Sequence, residues 1–247
     1  MVTNLQYFFE AAKKVRGGRW VWVKDSNGES RNNILLGGTI ANPNKGFGHL
    51  WAAQLMQYTP GQPIIIFRSF KLKSDLAANA TTAYFEADGF SDVPEVGQYV
   101  MVAPDSTKVV TMTADTTSGA VSVSEDDYTG TYAKITAVEY DADNERFEVT
   151  LQNKLASAKI NAGTILVEAD KAADTGSTGS APVLCPKPNI FNEADRDMLP
   201  TEGYGFDNAN YSASGVYNKQ AWIAKMQPLP NYVLALNKSL IDGIFWI

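Results

Sequence analysis

Residues 133–151 read Ala-Lys-Ile-Thr-Ala-Val-Glu-Tyr, then Asp-Ala-Asp-Asn-Glu-Arg, then Phe-Glu-Val-Thr-Leu. The outer pieces are rich in β-branched and aromatic residues, and the last alternates apolar and polar side chains with the period of two that a half-buried strand shows. Between them, Asp141-Ala142-Asp143-Asn144 has turn chemistry: short carboxylate and amide side chains that hydrogen-bond nearby backbone. Two strands and one turn predict a hairpin, and the hairpin sets the fold class as mainly β.

The same alternation extends outward on both sides. Strands are expected at 83–87, 99–103, 109–113, 120–124, 133–140, 147–151 and 164–168, in a stretch rich in Thr, Val, Ala and Asp. Seven short strands with turns between them predict a small barrel or sandwich over residues 71–170. Upstream, Leu5, Phe8, Phe9, Ala12 and Val15 recur at three and four, one face of a short N-terminal helix over 4–16, opened by Thr3 and Gln6 at capping-box spacing and stopped by Gly17-Gly18. Strands are expected over 19–24, 33–36 and 64–67. Residues 47–58 fit either a short helix or a strand. Downstream, residues 171–182 are dense in Ala, Gly, Ser and Thr and read as a flexible linker. The final part, 183–247, carries Tyr204, Phe206, Tyr211, Tyr217, Trp222, Tyr232, Phe245 and Trp246, with Pro200, Pro228 and Pro230 read as breakers of extended, irregular chain.

These pieces assemble into a β-rich body with an inserted small β-barrel domain and a short N-terminal helix. The body takes residues 1–70 and 183–247, the barrel takes 71–170, and 171–182 leads back. Helix–strand alternation of the α/β kind is absent.

Composition narrows the function. Of 247 residues, 45% are hydrophobic and 19% charged, so the chain can fill a core and is not of the disordered class. The net charge of −6 works against a nucleic-acid partner, which needs cations to displace phosphate counterions. Cys185 is the single cysteine, which rules out an internal disulfide and points to synthesis in a reducing cytoplasm. No apolar run approaches the roughly 20 residues of a membrane span. The opening residues are not a signal peptide, because Gln6 and Glu10 interrupt the apolar stretch and the basic residues follow it.

The motifs of catalysis are missing. His49 is the single histidine, without an HExxH or CxxC context, and reads as a half-buried side chain between Gly48 and Leu50. No serine lies in a G-x-S-x-G elbow, and there is neither a Walker A loop nor a G-x-G-x-x-G. Asp141-x-Asp143-x-Glu145 begins like a calcium loop, but Arg146 stands where the tight turn needs Gly and Gln152 where a bidentate Glu is required. No catalytic, cofactor or metal residue is therefore assigned.

Short phrases carry a family likeness. Gly89-Phe90, Val93-Pro94-Glu95-Val96-Gly97-Gln98-Tyr99-Val100-Met101-Val102 and Ala162-Gly163-Thr164-Ile165-Leu166-Val167 resemble a small β-barrel module of phage decoration and fibre proteins. Asn4-Leu5-Gln6-Tyr7-Phe8, Asn33-Ile34-Leu35-Leu36-Gly37-Gly38, Asp197-Met198-Leu199-Pro200-Thr201-Glu202-Gly203 and Met226-Gln227-Pro228-Leu229-Pro230 resemble the head fibre and auxiliary (decoration) capsid proteins of tailed bacteriophages and prophages of gut Bacteroidetes. The resemblance implies a structural virion protein on the phage head, not an enzyme, with no cofactor.

The expected mechanism is burial of aromatic surface between identical subunits and against the major capsid protein or other virion proteins. Trp20, Trp22, Trp222, Phe245 and Trp246 are its anchors, since Trp and Tyr dominate interface hot spots. The uncharged Gly243-Ile244-Phe245-Trp246-Ile247 is costly in water and predicts a homo-oligomer, a trimer by expectation. Two alternatives stay open: a glycan- or receptor-binding adhesin that meets host-surface glycans through its aromatics, and a polysaccharide hydrolase with an unrecognised site.

Overall fold

In the strand Thr82–Glu86, Ala83 and Phe85 are buried while their neighbours face outward. Arg146–Leu151 does the same with Phe147, Val149 and Leu151. The two strands pair antiparallel with Phe147 opposite Phe85 and Val149 opposite Ala83, so the apolar sets fall on one face. Fully burying a side chain such as Phe147 stabilises the fold by roughly 1.5–3 kcal/mol.

The computed structural model describes residues 38–41, 49–119, 121–125, 128, 130–171, 183–184, 186–192 and 226–239, and the strand positions 33–34, 196–197, 212–213, 215–217, 220–221 and 245–246. Over these residues the chain is mainly β, with several antiparallel sheets and one short α-helix, Asn231–Ser239. The expected helix over 4–16 and strand over 19–24 lie outside the described residues, as does 172–182 of the expected linker.

The largest sheet has six antiparallel strands in the order Ser69–Lys71, Ile165–Glu168, Tyr99–Val102, Tyr132–Asp141, Arg146–Leu151, Thr82–Glu86. The ten-residue strand Tyr132–Asp141 serves two neighbours. Its start pairs with Tyr99–Val102 and its remainder with Arg146–Leu151, and the register shifts between Ile135 and Ala137. A bulge of this kind bends a strand and sharpens its twist. The first and last strands of the order also meet: Leu72 bridges Phe85, and the Lys73 amide donates to the Tyr84 carbonyl at 2.8 Å. Phe70, Leu72, Phe85, Val100, Ile135, Phe147 and Leu166 form one core on a face of this sheet, with the Phe70 and Phe85 rings stacked at 5.4 Å. On the other face Arg146 lies over the Tyr84 ring at 4.0 Å.

A second sheet draws on both ends of the sequence, in the order Asn33–Ile34, Gly215–Tyr217, Ile190–Asn192, Leu55–Gln57, Ile65–Ile66. Met56, Ile64, Ile66 and Ile190 pack on one of its faces with Ile40 and Leu50. A third core joins the two sheets. Met101 and Val167 from the large sheet meet Leu55, Phe67 and Phe191, and helix Asn231–Ser239 adds Tyr232, Val233 and Leu236.

All seven strands expected between 71 and 170 are present within about one residue of their expected bounds, and the hairpin turn is 142–145, one residue later than expected, with Asp141 ending the strand opposite Arg146. Residues 47–58 hold two strands, His49–Leu50 and Leu55–Gln57, joined by a turn. Two expectations need correction. The large sheet starts at Ser69, because Ser69–Lys71 is its edge strand paired with Ile165–Val167. The stretch 231–239 is helical, not irregular. Pro230 precedes the helix, where a fixed φ and a missing N–H cost nothing, and its carbonyl accepts from the Val233 and Leu234 amides.

Candidate functional site

The chain leaves the small sheet at Ile66 and enters the large one at Ser69, so Phe67 and Arg68 form a two-residue crossover between them. So short a connection cannot satisfy its own polar groups, and four other segments supply partners. The Phe67 amide donates to the Leu55 carbonyl at 2.9 Å. The Phe67 carbonyl accepts from two side-chain amides, Gln54 Nε2 at 2.8 Å and Gln227 Nε2 at 2.9 Å. Asp92, buried in the loop between Thr82–Glu86 and Tyr99–Val102, accepts from Gln54 Nε2 at 3.1 Å and from the Ser69 amide at 2.9 Å. Ser69 Oγ donates to the Pro228 carbonyl.

Arg68 completes the joint. Its side chain is 3% exposed and pairs with Glu168, itself 15% exposed, at the last residue of strand Ile165–Glu168. Burial alone pulls an arginine pKa down, but here the charges of Glu168, Glu95 and Asp92 outweigh it and hold the guanidinium above its ordinary value. Gln54 reaches the joint from a tight turn in which the Gln54 amide donates to the Trp51 carbonyl and Ala53 takes φ 61, a left-handed conformation rare for a residue with a Cβ. Asn192 fixes that turn, with Nδ2 donating to the Trp51 carbonyl at 2.8 Å and its own carbonyl accepting from Ala53.

Beside the joint is a cleft of about 340 Å3 between the two sheets. Ile65 and Ile66 line one side, and Tyr99, Lys134 and Glu168 another. Tyr99 and Lys134 are cross-strand neighbours, and the Lys134 ammonium lies 5.8 Å from the Tyr99 ring centroid. The lining of the cleft thus combines an aromatic ring, an ammonium and a carboxylate.

None of the anchor residues singled out from sequence is among those described at the joint or the cleft. Trp20, Trp22 and Trp222 lie outside the described residues. Phe245 and Trp246 form a two-residue strand parallel to Gln220–Ala221; their side chains lie outside the described residues. His49 occupies a two-residue strand with Asp197 opposite. Among the described residues, no three His, Cys, Asp or Glu side chains are grouped to hold a metal, and no helix is long and apolar enough to cross a membrane. The joint itself escaped sequence reasoning. Its one local signal is Arg68, a charge directly after the apolar run Ile64-Ile65-Ile66-Phe67.

No protein-family model, curated protein or solved structure matches this chain.

Proposed function

We propose that the chain is a structural virion protein of a tailed bacteriophage, a head fibre, decoration or auxiliary capsid protein that acts by subunit assembly and capsid attachment and performs no catalysis. The joint at Phe67 and Arg68 is the observation that supports this. Here Arg68 pairs with Glu168, Asp92 accepts from Gln54 and from the Ser69 amide, and Gln227 and the Ser69 hydroxyl bond across to the C-terminal segment, so the joint ties two sheets and that segment into one unit. That is what a load-transmitting particle component requires.

In this reading the six-stranded sheet is a closed small barrel, beginning at Ser69, inserted into a body made from the chain before it and from 183–247. The Leu72–Phe85 bridge and the Lys73–Tyr84 hydrogen bond support closure, because they join the first and last strands of the order. The partners are other copies of the chain, as a trimer, and the major capsid protein or other virion proteins, with Trp20, Trp22, Trp222, Phe245 and Trp246 as anchors. The protein is made in the host cytoplasm and resides on the phage head. Antibody raised against the full chain is expected to label the heads of particles released by the host strain. Label confined to cell debris, with bare particles, overturns the reading.

The cleft supports a second reading, glycan or receptor binding, because it sets the Tyr99 ring beside the Lys134 ammonium. Glycan-array binding by the full chain that disappears in Tyr99→Ala tests it; an array without signal removes it.

A further inference from the structure

Among the described residues, the hairpin of Val110–Ala114 and Val121–Glu125 is hydrogen-bonded into neither the large nor the second sheet. Its strands pair antiparallel over five residues each, from Val110 opposite Glu125 to Ala114 opposite Val121, in a sheet of two strands. A two-stranded ribbon is marginal by itself in water. This one is held at its inner strand, where Val109 and Val110 are buried in the core that contains helix Asn231–Ser239. Among the described residues the outer strand, Val121–Glu125, pairs with nothing but Val110–Ala114.

Among the described residues, nothing gives that outer edge the usual protection. Proteins blunt exposed strand edges with Lys, Pro, inward charges or bulges, because a row of unpaired N–H and C=O groups recruits another strand. Val121-Ser122-Val123-Ser124-Glu125 contains no Lys, Arg, Pro or Gly, and its five-residue register runs without a bulge. Ser122 and Ser124 are exposed, and each hydroxyl is turned to the inner strand, Ser122 Oγ to the Thr113 carbonyl and Ser124 Oγ to the Thr111 carbonyl.

We infer that Val121–Glu125 is a strand-pairing edge whose partner is the same strand of a second copy, related by a two-fold axis through Val123. The sequence matches itself about that residue over its three central positions, Ser122 to Ser124. Antiparallel pairing sets Val123 opposite Val123, Ser122 opposite Ser124 and Val121 opposite Glu125, so no like charges meet at any position. The two hairpins then form one four-stranded sheet. Five residues make a small contact, so the edge acts as a link that is weak between isolated chains and firm where many copies are held together. The choice of a second copy rests on the assembly reading above.

Sedimentation of the full chain over a wide concentration range tests this. The wild type is expected to double its mass with concentration, from 26.9 kDa for a monomer or from the trimer mass for a trimer. Ser122→Lys with Ser124→Lys places Lys opposite Lys twice across the axis and is expected to weaken the doubling by roughly tenfold or more. Ser122→Lys with Ser124→Glu places Lys opposite Glu twice and is expected to restore it. Both positions are exposed, so circular dichroism of the three proteins should coincide. A stable trimer that never doubles leaves assembly standing and removes the edge contact. A doubling that ignores the lysines, or that the Lys/Glu variant fails to restore, also overturns the inference.

Discussion

Arg68 and Glu168 pair across one hundred residues of sequence, Arg68 immediately before the large sheet's first strand and Glu168 at the end of its last. The pair therefore clamps two neighbouring strands at the two points where the chain enters and leaves the sheet. The partners are not equivalent. Removing Arg68 takes from Glu168, Glu95 and Asp92 the cation they share, whereas removing the Glu168 charge leaves Arg68 with two carboxylates still near it.

An ordering of two variants follows. Arg68→Met is expected to cost about 3–5 kcal/mol, the range for stranding buried charge. Glu168→Gln keeps a hydrogen-bond acceptor and is expected to cost about 1–3 kcal/mol. Urea denaturation of the two variants checks the order, and a larger loss for Glu168→Gln contradicts the account of the joint.

Acid stability depends on a different set of groups. Asp75, Asp105, Asp115 and Asp141 are each held below the usual carboxylate value of 3.8. The leading causes are hydrogen bonds from Lys159 to Asp75, from the Thr107 amide to Asp105, from Ser118 to Asp115 and from Asn144 to Asp141. A carboxyl whose folded pKa is depressed binds fewer protons in the native state, so its stabilisation is complete above the unfolded value and lost as pH falls through the folded one. The thermal midpoint should therefore be level with respect to these four groups above about pH 5 and decline below 3.8. All four lie at the surface, so the decline should be gradual and should weaken in high salt. A thermal scan from pH 7 to 2.5 at two salt concentrations tests both points.

Glu145 carries a local cost of another kind. It takes φ 48 in the hairpin after Asn144, a left-handed conformation in which a Cβ crowds the following carbonyl. Its side chain is exposed, while its carbonyl accepts from the Ala87 amide. Glu145→Asn keeps that backbone bond and substitutes a residue that visits this region readily. It is expected to raise stability by about 0.5–1 kcal/mol, seen as a higher urea midpoint with an unchanged slope. A lower midpoint means that the strain is not relieved.

The strands were legible because period-two alternation and turn residues are local signals, and 82–86, 99–102 and 146–151 carry both. Helix Asn231–Ser239 was not, since Pro228 and Pro230 read as breakers when one of them precedes a helix and the other anchors Ser69. The joint was illegible for a physical reason. Gln54 meets Asp92 at a separation of 38 residues, Arg68 meets Glu168 at 100 and Gln227 meets Phe67 at 160. Isolated polar side chains have no periodicity, so nothing in the linear pattern brings these together.

Asp170 pairs with Leu184 and Lys171 with Val183, so the chain departs and returns at one place. On the far side of that ladder, Ile190–Asn192 inserts between Leu55–Gln57 and Gly215–Tyr217, interleaving strands from both ends of the sequence. The C-terminal part further supplies Gln227 to Phe67, Tyr232 Oη to the Pro186 carbonyl, and Tyr232, Val233 and Leu236 to the shared core. A specific protease site inserted between Gly176 and Ser177 is thus expected to yield two pieces that remain together. The cut chain should elute as the intact protein does and separate under denaturing conditions. Reassociation should also survive a cycle of unfolding in urea and dilution, although more slowly, because the two strand sets must then find each other in solution. Release of the 177–247 piece under native conditions means that the body sheet is not built from both ends of the chain.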